Sequence, residues 1–258
     1  MAAVPGVLRK WTPGLVPGLC LWLDAGDSST LTLNGSSNVS QIADKSGLPG
    51  QNLVQNIQSH QPYIGSNLNG RQTLTFNTGL YMSTMTTNFP TSLNSNSFSY
   101  FVTNVFRSTG NSQLFLMSNA TNPTNYYYIN NNALALRVGF KEANDSGIIY
   151  IQCPSGTSNF IIETFSGPSL NVIKVVNSNV ISDTQTTQAP PYPTNMTSFT
   201  IGSQPLPFLG DMGEILAFNN NYYQNTQYTP QLEGYLAWKW GMTTYLSSNH
   251  PYKNRPPI

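Results

Sequence analysis

Leu19-Cys20-Leu21-Trp22-Leu23, closed by Asp24-Ala25-Gly26-Asp27, is a short apolar run that stops at turn-forming residues. A run of this length, bounded by Gly, Pro and Asp, reads as a strand. Outward from it, runs rich in β-branched and aromatic residues recur at 73–77, 97–107, 113–117, 133–138, 147–152, 160–165, 170–176, 199–202 and 214–218. Ten strands or more need two sheets, so the fold class is all-β.

The runs differ in pattern. Thr73-Leu74-Thr75-Phe76 and Ala133-Leu134-Ala135-Leu136 alternate, as strands with one core face and one wet face do. Ile148-Ile149-Tyr150-Ile151 is apolar on both faces. Asn177-Ser178-Asn179 lies between two Val-rich runs and reads as a tight hairpin, because Asn tolerates the left-handed backbone of a short turn. The Asn runs 130–132 and 219–221 read as turns by the same reasoning.

A single helix is expected near the end. Thr229 is placed to cap it, Pro230 suits its first turn and Gly241 can end it. Leu232, Tyr235, Leu236 and Trp240 then share one apolar face for packing across the sandwich. With no repeat or composition break, the chain divides into an extended arm (1–18), one domain (19–248) and a tail (249–258).

Composition narrows the function. Only 8% of residues are charged, against about 25% in soluble domains, and solubility falls to Asn, Ser, Thr and Gln. The formal net charge of +1, with Arg9 and Lys10 the only adjacent cations, leaves no electrostatic footprint for nucleic acid or an anionic membrane. No apolar stretch approaches a membrane span, and the proline-bearing start (Pro5, Pro13, Pro17) has no signal-peptide core. The five sequons, at Asn34, Asn38, Asn119, Asn144 and Asn195, follow from an Asn- and Ser/Thr-rich composition.

The reactive side chains are sparse. Cys20 and Cys153 lack metal or redox spacing, and Cys20, inside an apolar run, reads as a buried thiol. Glycan hydrolysis needs paired carboxylates; Asp211 and Glu214 are the closest acidic pair of the late motif, but three-residue spacing on a regular strand points them to opposite faces, as a turn and an edge contact. Glu233 reads as solvated or capping. His60 and His250 accompany no nucleophile, and His250 packs in the tail. Asp24, Asp27 and Asp44 could gather at a rim as calcium ligands, yet Asx turns account for them and no dense ligand loop is spelled out; no metal or cofactor is expected. Tyr126-Tyr127-Tyr128 reads as a strand with one ring buried and two exposed, which could also stack on a sugar.

The motif from Pro17 to Asp27 resembles the opening of a laminin-G-like, concanavalin-like jelly-roll family found in bacterial, phage and large DNA virus proteins. The resemblance continues through Asp44-Lys45-Ser46-Gly47, Gln61-Pro62-Tyr63, Asn69-Gly70-Arg71 and Leu74-Thr75-Phe76. It returns at Phe208-Leu209-Gly210-Asp211-Met212-Gly213-Glu214-Ile215, at Glu233-Gly234-Tyr235-Leu236-Ala237-Trp238-Lys239-Trp240-Gly241 and at His250-Pro251-Tyr252-Lys253. It implies a two-sheet antiparallel jelly-roll sandwich with one C-terminal helix, and no single activity. The expected function is a non-enzymatic structural protein, a minor capsid or surface component of a virion, partnered by other particle proteins; the alternative is a carbohydrate-binding, lectin-like module. The arm carries the expected partner contact, Trp11, on a segment mobile until it docks.

Overall fold

The computed structural model describes residues 11–35, 37–49, 51–77, 79–83, 97–106, 112–119, 126–132, 135–142, 145–152, 159–167, 170–177, 180–186, 196–202 and 207–258. The strands are β1 (Leu19–Asp24), β2 (Leu31–Asn34), β3 (Asn38–Ile42), β4 (Leu53–Val54), β5 (Tyr63–Leu68), β6 (Arg71–Phe76), β7 (Met82–Ser83), β8 (Phe98–Phe106), β9 (Ser112–Ser118), β10 (Tyr126–Asn132), β11 (Ala135–Glu142), β12 (Asp145–Gln152), β13 (Asn159–Gly167), β14 (Leu170–Asn177), β15 (Val180–Thr186), β16 (Ser198–Ile201) and β17 (Gly210–Phe218). Among the described residues there is one α-helix, α1 (Tyr228–Lys239).

All described pairings are antiparallel. One layer runs β1-β17-β8-β13-β14-β15 and the other β7-β16-β9-β10-β11-β12, while β6, β5, β3 and β4 curl from β17 round to β7. The layers meet through aromatic rings: Tyr100 of β8 stacks on Tyr127 of β10 at 5.8 Å between centroids, and Phe98 sits edge-on to Tyr127 at 5.2 Å. The expected all-β jelly-roll sandwich with one helix is the observed fold.

β17 is buried on both faces. Its inner face, with Met212, Ile215 and Ala217, joins Leu21, Leu23, Tyr100, Met117 and Phe199 between the layers. Its outer face, with Leu216 and Phe218, joins Trp22, Phe101, Leu232, Leu236 and Trp240 beneath α1. The helix therefore forms a third layer, and its Leu232, Leu236 and Trp240 stripe is fully buried as the periodicity predicts.

Several expectations move. The Asn run 130–132 is no turn: it extends β10, pairing with 135–137 of β11, because neighbouring strands override the weak local preference of Asn. Asn177 and Val180 pair as the hairpin reading requires, with 178–179 outside the described residues. The helix begins under Asn225, whose side chain accepts from the backbone N–H groups of Gln227 and Tyr228, while the Thr229 hydroxyl donates to the Tyr222 carbonyl. Gly241, at φ +68°, ends the helix in the left-handed conformation that glycine allows. Cys20 is buried and its thiol donates to the Ala217 carbonyl; Cys153 lies outside the described residues.

The arm and tail boundaries also move. Trp11 is 6% exposed, its ring 5.7 Å from Tyr235, and Val16 is buried in the same cluster. The apolar area of Trp11 is thus satisfied within its own chain, and it is not a free partner anchor. At the other end the Lys253 ammonium donates to the carbonyls of Thr243, Thr244 and Leu246, and Trp238 Nε1 donates to the Tyr252 carbonyl. From Trp11 to the tail, the described ends are part of the packed domain.

Candidate functional site

The recurring motif residues converge on one buried place between β1, β17 and α1. Asp24 pairs in register with Glu214, so both carboxylates face the helix. Lys239, on the last turn of α1, reaches Asp24 Oδ1 at 2.6 Å and Glu214 Oε2 at 2.8 Å. Lys45 holds the other side, with Nζ 2.8 Å from Asp24 Oδ2 and 2.7 Å from Asp27 Oδ2. Three neutral donors complete the set: Trp22 Nε1 and the Tyr235 hydroxyl on Glu214 Oε1, at 2.6 and 2.9 Å, and Trp240 Nε1 on Oε2 at 2.8 Å. Lys45 also lies 4.5 Å above the Trp22 ring.

Gly213 explains why this was not legible. A β-bulge between Met212 and Glu214 inserts one residue, so alternation breaks and Asp211 and Glu214 share the outer face of β17 instead of opposing it. A Cβ at Gly213 would lie 2.7 Å from Thr103 Oγ1 and 3.0 Å from the Trp240 ring, so only glycine fits the bulge. Glu214, expected at an edge, is fully buried; Asp211 is buried too, accepting from the Thr75 hydroxyl. A glycine between two acids in a strand was the available signal. Glu233 is likewise buried and pairs at 2.8 Å with His250 Nε2, which docks the tail on α1.

The electrostatics follow from burial. Burial pushes the Glu214 carboxyl up against the opposing pull of Lys239. Hydrogen bonds from Lys45 and then Ser29 hold Asp27 down to about 2. Burial alone would lower Lys45, but its bonds to Asp24 and Asp27 outweigh this and hold it above its ordinary value. Burial, then the charge of Glu214, raises Tyr235 far beyond the ordinary phenol range.

Asp24 and Asp27 thus grip an ammonium where calcium was considered. Asp44 stands apart: its carboxylate accepts from the Trp22 and Ser46 backbone N–H groups, and Lys45 N–H donates to the Trp22 carbonyl, which together cover the outer edge of β1. Burial raises Asp44. Among the described residues no group of three or more His, Cys, Asp or Glu is arranged to hold a metal. The network is chemically complete: each carboxylate oxygen of Asp24 and Glu214 has a donor, and its role is to lock α1 and the 44–47 loop onto the sandwich.

The open chemistry lies on the opposite layer. β10 alternates as expected: Tyr127 and Ile129 are buried, whereas Tyr126 and Tyr128 remain partly exposed on the outer face, centroids 5.8 Å apart and tilted by 43°. Register places Ser118 of β9 and Ser198 of β16 beside Tyr126, and Gly139 of β11, which has no side chain, beside Tyr128. Ser118, Ser198 and Thr200 are part-exposed, so hydroxyl residues follow Tyr126 across β9 and β16, while Leu116 is opposite Tyr128 with Thr200 beyond it.

Fold and site define the class: an all-β jelly-roll sandwich with a helix ion-locked across one layer and an aromatic face on the other. The chain matches no model of a known protein family and no curated protein. Among solved structures it is similar to the binding domain of Botulinum Neurotoxin DC in complex with SialylT, with 12% identity, a TM-score of 0.49, and 80% of this chain and 48% of that one covered. It is similar to the Ruminococcus gnavus IT-sialidase CBM40 bound to alpha2,6 sialyllactose, with 9% identity, a TM-score of 0.48, and 59% and 92% covered. Domains LG4-5 of the mouse laminin alpha1 chain give 10% identity, a TM-score of 0.40, and 49% and 36% covered. The chain spans less than half the length of the toxin and laminin chains. No described helix is long and apolar enough to cross a membrane.

Proposed function

We propose that this chain is a non-catalytic carbohydrate-binding module whose platform is the Tyr126 and Tyr128 pair of β10. The observation that carries the reading is that two adjacent tyrosines stay part-exposed on the outer face while Tyr127 between them anchors the strand in the core. An aromatic face suits the apolar side of a pyranose, and the polar tip of Tyr, with the bordering Ser and Thr hydroxyls, suits its edge. The acids of the late motif are all committed to internal contacts, so the buried network supplies structure and not a carboxylate pair open to a sugar. The reading as a particle component loses its named anchor, since Trp11 is packed against Tyr235.

A glycan array followed by calorimetry tests this. Wild type is expected to retain at least one glycan class without releasing product, and Tyr126→Ala or Tyr128→Ala to abolish retention while the melting curve holds. Retention unchanged in both variants overturns the platform; turnover of the retained glycan overturns the non-catalytic reading.

A further inference from the structure

We infer, resting on the tyrosine platform, that the sugar it takes is acidic, carrying a carboxylate or a sulfate. The register of β10 on β11 sets Tyr126 opposite Lys141, Tyr128 opposite Gly139 and Asn130 opposite Arg137. Directly opposed residues of an antiparallel pair lie on the same face of the sheet. Two of the chain's 11 basic residues therefore stand two positions either side of Gly139, on the face of the tyrosines.

Among the described residues no acid stands at the register positions beside them. Across β12 the positions opposite Lys141, Gly139 and Arg137 are Ser146, Ile148 and Tyr150. Across β9 the positions opposite Tyr126, Tyr128 and Asn130 are Ser118, Leu116 and Gln113, and β16 adds Ser198 and Thr200. The nearest acids in register, Glu142 and Asp145, pair with each other at the β11–β12 end, and alternation puts them on the other face. In a chain with 8% charged residues, two basic positions and no acidic one in these described registers are set beside an aromatic platform. A carboxylate or sulfate on a stacked ring would meet the two cations with charge-assisted hydrogen bonds.

The test uses matched probes on the full chain: polygalacturonate oligomers against their methyl esters, and a sulfated galactan against the same galactan desulfated. At low salt, one acidic form is expected to bind about tenfold tighter than its neutral match, the scale of one hydrogen bond to a charged group, and which pair shows the gap identifies carboxylate or sulfate. The gap should shrink as salt is raised, and Lys141→Gln and Arg137→Gln, with unchanged melting curves, should each close most of it. Equal affinity for acidic and neutral forms, with binding lost in Tyr128→Ala, overturns the charge preference and keeps the platform. Binding to none of the probes or array glycans overturns both.

Discussion

Replacing Glu214 by Gln probes the ion network directly. The carboxylate receives four donors: Trp22 Nε1, the Tyr235 hydroxyl, Trp240 Nε1 and the Lys239 ammonium. Glutamine keeps one acceptor oxygen, which can serve Trp22 and Tyr235, but its amide nitrogen then confronts Trp240 Nε1 and Lys239 as donor against donor. Removing one partner of a buried ion pair costs about 3–5 kcal/mol. Lys239 keeps Asp24 at 2.6 Å and is 23% exposed, so the lower end, about 3 kcal/mol, is expected. For a chain of this size that is a fall in melting temperature of roughly 6–12 °C. Circular dichroism melts and urea titrations read it. A second variant, Trp240→Phe, removes one confronted donor, so Glu214→Gln should cost less in that background than in wild type. A Glu214→Gln protein melting within about 1 °C of wild type, or strict additivity with Trp240→Phe, would refute the reasoning.

The remaining expectations concern burial and protons. Trp11→Ala should lower stability by about 3–5 kcal/mol, because Trp11 packs on Tyr235; an unchanged urea midpoint would return this residue to a free arm. Asn104 is fully buried with both amide atoms lacking a hydrogen-bond partner among the described residues, so Asn104→Leu should be neutral or stabilising, and a loss above about 2 kcal/mol would show a satisfied amide. Stability should rise with pH between about 2 and 3.8, where Asp27, held down by Lys45, is ionised in the folded chain but still protonated in the unfolded one. It should fall as pH rises above 4.5, where the folded chain still holds the Glu214 proton that the unfolded chain has released, with Asp44 acting in the same direction from 3.8. Urea midpoints across pH should show the rise flattened in Asp27→Asn and the fall reduced in Glu214→Gln.

The strands and the helix were legible because their signals are local. Each run of β-branched and aromatic residues named from the sequence overlaps an observed strand, with 107 and 133–134 outside the described residues, and the stripe of Leu232 and Leu236 on α1, with Trp240 at its end, is buried as its spacing requires. Tyr126, Tyr127 and Tyr128 alternate as read, since one strand suffices to set which ring turns inward.

What needed tertiary structure is whatever depends on a partner distant along the chain. Asn130, Asn131 and Asn132 favour turns by themselves, but β11 pairs all three and β9 pairs Asn130 and Asn131. Asp24, Lys45, Glu214 and Lys239 come from four separated segments, and only the sandwich brings them within 3 Å of one another's charges. The sign of the Glu214 error has a single cause: alternation assumes an unbroken ladder, and the bulge at Gly213 exists because Trp240 and Thr103 pack where a side chain would stand. Trp11 was misplaced for the related reason that a segment without periodic pattern gives no local sign of docking; its position follows from the apolar groove that Tyr235 and the helix face provide. Local pattern therefore determined which residues form strands and helix and how the tyrosines of β10 alternate, and packing between distant segments decided which charges are buried and where Trp11 docks.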